Sequence, residues 1–173
     1  MNNSPSIAVL LAAYNGMEWI EEQVASISSQ KNTSIQIFIS VDVSNDKTYE
    51  WCQNLARNNS YIKVLPYGER FGGAAKNFYR LIRDVDFSYF DYIALSDQDD
   101  IWDSDKLHHA ISVIEKDNLD GYSGNVIAFW SDGQERLVKK NFPQKRFDYF
   151  FEAAGPGCTY VFKQQAIQKF KKF

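Results

Sequence analysis

The stretch IAVLLAA, Ile7 to Ala13, is apolar at every position. A strand with water on one face alternates apolar and polar residues. A strand covered by helices on both faces need not alternate, and this one does not. It is expected to lie inside a sheet sandwiched between helices. Two further apolar runs extend that reading: IQIFISV, Ile35 to Val41, and YIAL, Tyr92 to Leu95. Helical patterns stand between them. YNGMEWIEEQVASISSQ places Ile20, Val24 and Ile27 at helical spacing, with Asn15 as a candidate cap and Glu18 three residues on, as in a capping box. DKTYEWCQNLARN sets Trp51 and Leu55 on one face. GERFGGAAKNFYRLIRDV opens with a glycine turn and runs on through Phe78, Leu81 and Ile82. DSDKLHHAISVIEK spaces Leu107, Ile111 and Ile114 for a core.

YIKVLP reads as a short strand, NVIAFW and CTYVF as later ones, RFDYFFEAA as a short aromatic helix, and QQAIQKFKKF as a last helix. Strands alternating with helices imply an α/β fold, three layers about a mostly parallel sheet. With 173 residues, no internal repeat and no linker, one domain over residues 1–173 is expected.

Composition excludes some functions. A net charge of −3 gives no basis for binding nucleic acid. There is no apolar run of about 18 residues to cross a membrane. MNNSPS has neither the charged nor the apolar region of a signal peptide. Cys52 and Cys158 lie in apolar segments without metal-ligand spacing and read as reduced core thiols of a cytoplasmic protein.

The chemistry concentrates after YIAL. LSDQDDIWDSD, Leu95 to Asp105, holds five carboxylates within nine positions. In open α/β sheets ligands bind at the carboxyl ends of strands, where Asp97 and Asp99 stand. Crowded carboxylates repel, and a divalent cation removes the cost. Hard oxygen donors suit Mg²⁺ or Mn²⁺, and Mg²⁺ completes its shell with substrate phosphates. Asp103 and Asp105 have a plainer use, capping the next helix and favouring its positive end. Asp100 is assigned to neither. An EF-hand is excluded by Ile101 and Trp102 at its fifth and sixth positions, and a DxDxT phosphatase by Ile101 where threonine is needed. His108 and His109 fall within a helical pattern and are not candidates for catalysis.

Three stretches together, IAVLLAAYNG, SVDVSNDKT and ALSDQDDIW, resemble the nucleotide-binding motifs of family 2 inverting GT-A glycosyltransferases, especially bacterial rhamnosyltransferase-like members. The likeness covers roughly Ile7 to Phe162. It implies a GT-A, Rossmann-like fold and transfer of a sugar from dTDP-rhamnose or a UDP-sugar to a glycan or lipid-linked acceptor of the bacterial surface. It implies that Ala13 and Tyr14 lie against the nucleoside, that Asp42 reads the pyrimidine edge, and that FGGAAKN closes over the nucleotide, with Gly72 in its turn and Lys76 as a contact. Asp97 and Asp99 match the DXD motif, with Asp99 as the metal ligand. Gly155 and Gly157, in GPGCT, match the segment beneath donor sugar and acceptor.

The sequence departs from that family in two places. The common DDGSxD reads VDVSND here, with Val41 and Val43 replacing an acid and a glycine. The family's general base lies past the segment matching Gly155 to Phe162, so it is expected beyond Phe173, and Glu152 does not match it. The chain therefore reads either as part of a longer enzyme or as one whose acceptor half was lost, with apolar surface that favours self-association. Lys163, Lys169, Lys171 and Lys172 offer either a basic patch to an anionic membrane or a solvated helix face. A nucleotidyltransferase ranks lower, because AAYNGME has one glycine and no cation after the first strand. A module that holds a nucleotide-sugar without turnover is the rival from outside the enzymes.

Overall fold

The structure, a computed structural model, describes residues 4–143, 145–150 and 153–171. Its strands are β1 (Ser6–Ala13), β2 (Ser34–Val41), β3 (Ile62–Val64), β4 (Tyr92–Ser96), β5 (Gly121–Tyr122), β6 (Val126–Phe129), β7 (Glu135–Val138) and β8 (Val161–Lys163). Its helices are α1 (Ile20–Ser28), α2 (Thr48–Asn58), α3 (Ala74–Asp84), α4 (Lys106–Lys116) and α5 (Gln164–Phe170).

Six strands form one sheet in the order β3-β2-β1-β4-β8-β5, and β6 and β7 form a separate hairpin. β1 is central and parallel to both neighbours, with Ala13 level with Val41 and Leu11 level with Ser96. β8 enters antiparallel beside β4, and β5 pairs antiparallel with β8. The sheet is α/β and mostly parallel, as expected.

The absence of alternation in β1 has the predicted cause. Ile7, Val9, Leu11 and Ala13 face one core with Ile20, Val24 and Ile27 of α1, Cys52 of α2 and Leu107, Ala110 and Ile114 of α4. Ala8, Leu10 and Ala12 face a second core with Leu81 and Val85 of the α3 region, Phe87, Ile93 and Ile167 of α5. Side chains alternate in direction along a strand, so a layer of helices on each side requires apolar residues throughout. Each fully buried leucine or isoleucine contributes about 1.5–3 kcal/mol.

The chain leaves β1 for β2 and β3 on one side and returns to β4 on the other. That reversal opens a crevice beyond the carboxyl ends of β1 and β4, the usual ligand position in such sheets. Tyr14, Asp42 and Asp97 are the first residues past the ends of β1, β2 and β4.

Several local expectations are corrected. Asn15 and Glu18 form no capping box, because α1 starts at Ile20 and no side chain caps it. Asn15 instead adopts a left-handed φ of 45° and its Oδ1 accepts the Asn45 amide at 2.7 Å. Asp103 is not the cap of α4. Asp105 holds that position without a side-chain bond, and Asp103 contributes its carbonyl to the Lys106 amide. NVIAFW does not join the main sheet but pairs with β7. Only Asp148–Phe150 of the aromatic segment is helical, as a 3₁₀ turn, and Phe151 and Glu152 lie outside the described residues. In CTYVF the strand starts at Val161, and Gly157–Thr159 is a 3₁₀ turn. Cys52 and Cys158 are buried free thiols, as expected.

Candidate active site

A cavity of about 460 Å³ lies in the crevice. That volume falls in the usual range of small-ligand pockets, roughly 300–1,000 Å³. Ala12, Ala13, Tyr14, Asp42, Arg70, Gly72, Gly73, Ala74, Asn77, Asp97, Gln98 and Asp99 line it. Six of the residues singled out from the sequence meet there: Ala13, Tyr14, Asp42, Gly72, Asp97 and Asp99. Lys76 is exposed on α3 and is not in the lining, nor are Gly155 and Gly157. Gly157 is nonetheless close by, since a Cβ on it would stand 3.7 Å from Asp97 Oδ2.

Three loops make the walls, and each is fixed by a tertiary contact. The loop after β1 is held by Gln98. Its Oε1 accepts the Tyr14 amide at 2.7 Å, and its Nε2 donates to the Tyr14 carbonyl at 2.8 Å. Gly16 must be glycine for this to happen, because a Cβ there would meet Gln98 Cδ at 2.7 Å. Thr48, the first residue of α2, and Asp46 just before the helix secure the same loop. The Gly16 amide donates to Thr48 Oγ1 at 2.8 Å, and the Met17 amide to Asp46 Oδ2 at 3.2 Å. Burial pushes the Asp46 carboxyl up, but bonds from Thr48 and from the Met17 amide outweigh it and hold the group below its ordinary value.

The glycine loop before α3 is held by Asp42, which is 4% exposed. Oδ1 accepts the Phe71 amide and Oδ2 the Gly72 amide, both at 2.9 Å. Gly72 has φ +70°, a conformation that favours glycine. The buried Arg80 supports the loop from below. It donates to the Pro66 carbonyl and to Ser40 Oγ, and its guanidinium lies 5.3 Å from the Phe71 ring centre. Tyr67 stacks on Tyr49 at 4.0 Å and accepts the Ser44 amide. The buried Asn77 donates to the Ser40 carbonyl at 3.0 Å, and its Oδ1 has no partner among the described residues.

The acidic loop after β4 is pinned by Trp102, 5% exposed. Its backbone amide donates to Ser26 Oγ at 3.0 Å. The buried Gln23 amide bridges this loop to β4, oriented with its oxygen toward Trp102 Nε1 at 3.2 Å and its nitrogen toward the Asp100 carbonyl. Lys106 lies over the Trp102 ring and donates to the Cys158 carbonyl at 2.9 Å. Burial pushes that ammonium down to about 7.

The carboxylates there are in conflict, as the sequence suggested. Burial, then the charges of Asp100 and Asp99, push Asp97 up to about 6. Burial also raises Asp100, whose Oδ2 is buried without a partner among the described residues. Asp99 is exposed and lines the cavity. Among the described residues, Asp97, Asp100 and Cys158 bring donor atoms within 4.8 Å of one another. Burial and the two carboxylates push the Cys158 thiol up to about 12, and a soft sulfur is a poor match for Mg²⁺ or Mn²⁺. The available donors are therefore carboxylate oxygens with an unbalanced charge, and they fit a hard divalent cation.

Gln98, Arg70, Asn77, Arg80 and Trp102 were not picked out as site residues. Gln98 and Trp102 lie inside the acidic stretch itself, and Arg70 directly precedes the glycine loop, so proximity was the available signal. Asn77 ends the FGGAAKN stretch, whereas nothing local marks Arg80. Of the terminal lysines, Lys163 pairs with Glu115 at 3.2 Å, and Lys171 donates to the Val85 carbonyl over the Phe87 ring. Lys172 lies outside the described residues.

A family model described as "Glycosyl transferase family 2" matches residues 8–171. The dTDP-rhamnosyl transferase RfbG of Shigella flexneri is 53% identical over 94% of this chain and 57% of its own length. The putative teichuronic acid biosynthesis glycosyltransferase TuaG of Bacillus subtilis is 30% identical over 61% of this chain and 40% of its own length. This chain thus spans about half the length of the curated relatives it matches. Among solved structures, S. aureus TarS 1-349 in complex with UDP-GlcNAc superposes with a TM-score of 0.71 at 17% identity, over 95% of this chain and 47% of that one. The mannosyltransferase PcManGT from Pyrobaculum calidifontis, in complex with GDP-Man and Mn²⁺, gives 0.68 at 17% identity, over 96% and 46%. At that identity the two structures show a shared GT-A fold.

Proposed function

This chain belongs to glycosyl transferase family 2, and from that premise we propose that it is the donor-binding domain, residues 1–173, of an inverting glycosyltransferase. The donor is a pyrimidine nucleotide-sugar, dTDP-rhamnose or a UDP-sugar. The acceptor is a glycan or lipid-linked glycan of the bacterial surface, met in the cytoplasm at the inner face of the membrane. The observation that carries the reading is one cavity that gathers Tyr14, Asp42, Asp97 and Asp99 from three strand ends. The 53% identity to a dTDP-rhamnosyl transferase supports the rhamnose donor.

The loops give each residue a task. Tyr14, its backbone clamped by Gln98, offers a ring wall to the nucleoside. Asp42 holds the glycine loop with both oxygens, which sets the width of the base end and leaves carboxylate lone pairs for the pyrimidine N–H. Arg70 brings a positive charge to the lining for the diphosphate. Asp99, with Asp97, would hold Mg²⁺ or Mn²⁺, whose chemistry is to stabilise the charge gathering on the departing diphosphate. The anomeric C–O bond breaks as the acceptor oxygen attacks from the opposite face, and its proton passes to a carboxylate base. Among the described residues no helix is long and apolar enough to cross a membrane.

Calorimetry with UDP, dTDP and GDP, with Mn²⁺ or EDTA, tests this on the wild-type chain and on Asp99→Ala. Metal-dependent binding of a pyrimidine diphosphate, lost in the variant, is expected. Indifference to all three nucleotides overturns the reading. Because the chain spans 57% of its rhamnosyl relative, a second reading has the donor held without turnover. Transfer assayed with this chain beside a longer one separates the two.

A further inference from the structure

The β6–β7 hairpin makes no ladder with the main sheet, and the face it exposes carries Ile127, Phe129 and Leu137, with one carboxylate, Glu135, across from Phe129 at the turn end. Ile127 pairs across from Leu137, and these two with Phe129 are 57–59% exposed. On the opposite face Val126, Ala128 and Val138 are half-buried. Trp130, at the turn, is 52% exposed. A two-stranded hairpin is marginally stable in water and gains nothing from displaying such residues to it.

The segment that follows reverses the chain's charge. Residues 136–147 hold Arg136, Lys139, Lys140, Lys145 and Arg146 and no carboxylate, in a chain of net charge −3. Phe142 and Phe147 are exposed within it, with Lys139 5.4 Å from the first ring centre and Arg146 5.3 Å from the second. Exposed Trp, Phe and Leu beside clustered Lys and Arg is the composition of a surface that sits in a lipid headgroup layer.

We propose that the hairpin and the segment through Phe147 dock on an anionic bilayer. Phe129, Trp130 and Leu137 enter the boundary between headgroups and acyl chains, and the cations meet lipid phosphates. Charge complementarity selects this occupant. A second copy seated on the same surface would bring two basic segments together, and a purely electrostatic partner would leave the rings without a role. The proposal does not rest on the donor-site reading, because none of these residues lines the cavity. Vesicle binding and nucleotide binding therefore fail independently.

The test is flotation of this chain with vesicles of phosphatidylcholine alone or mixed with phosphatidylglycerol. Partition should favour the anionic vesicles at least tenfold. Lys139→Gln with Arg146→Gln should weaken it by roughly fivefold per cation removed. Phe129→Ser with Leu137→Ser should remove the binding that survives about 0.5 M salt, where surface charge is screened. Brominated lipid should quench part of the tryptophan emission of the wild type, and that quenching should be lost in Trp130→Phe. Circular dichroism and melting establish that each variant is folded. Equal binding to neutral vesicles, or charge variants that bind as well as wild type, overturns the proposal. So does a dimer in sedimentation that Leu137→Ser dissociates while vesicles are ignored. Capture of an RNA oligonucleotide without any preference for anionic vesicles also overturns it.

Discussion

Gln98 grips the backbone of Tyr14 from both sides, accepting its amide at 2.7 Å and donating to its carbonyl at 2.8 Å. The residue between two cavity carboxylates thereby joins the loop after β1 to the loop after β4. Gln98→Ala should cost about 1 kcal/mol of stability per lost bond at most. The larger effect should be on the nucleotide, whose affinity falls roughly tenfold as Tyr14 is released. Calorimetry with dTDP beside a thermal melt distinguishes the two. Gly16→Ala should act the same way, by pushing Gln98 aside.

Asp42 accepts three amides, those of Phe71 and Gly72 in the glycine loop and that of its neighbour Val43. Asp42→Ala leaves the Phe71 and Gly72 N–H groups without their acceptor and should cost about 1–3 kcal/mol. Hydrogen exchange at those two amides should accelerate while the strands stay protected. Asp42→Asn should be little better, since one of its two ends must turn an N–H toward an N–H. Unchanged exchange in either variant would show that the glycine loop stands without this carboxylate.

Asp46 ties acid stability to the loop after β1. Its folded-state pKa is below the ordinary value. The unfolded chain therefore binds this proton first as pH falls, and the stabilisation is present above about pH 4 and lost as pH drops through the folded value. Urea melts from pH 6 down to pH 3 should show wild type losing stability faster than Asp46→Asn over the lowest part of that range. Parallel curves would remove Asp46 from the account.

Trp102 is the anchor of the acidic loop. Trp102→Ala should destabilise by about 3–5 kcal/mol, since a large buried ring leaves a cavity. Trp102→Phe should cost less, keeping most of the packing and losing the Nε1 contact with Gln23. If the ring also sets the carboxylates, Mn²⁺ should bind more weakly to Trp102→Phe than to wild type, even where both are folded.

The parts of this molecule that were legible in the sequence are those decided by burial. IAVLLAA read as a doubly covered strand because both of its faces are core. Asp97 and Asp99 read as crevice residues because strand ends in such sheets face ligands, and both line the cavity. The start of α1 was misplaced because Asn15 reaches across to Asn45 rather than forward to its own helix, a choice local pattern does not record. β7, in QERLVKK, was missed because its pattern is mixed and charged, and only pairing with β6 makes it a strand. The Gln98 clamp, the Asp42 latch and the Arg80 support were hidden for one reason. Each joins residues at least 14 positions apart through polar atoms, and polar residues carry no periodic signal.

The antiparallel entry of β8 bears on how the molecule is made. It carries Gly157 and Cys158 back to the acidic loop, where the Cys158 carbonyl receives Lys106 from 52 positions earlier. As the chain leaves the ribosome, β1, β2 and β4 can align before that strand exists. Asp97 and Asp100 would wait in the meantime beside an unfinished wall. Such late closures are slow, since distant segments must find each other before contact rewards them. A cation present during synthesis would then meet the carboxylates before the thiol does.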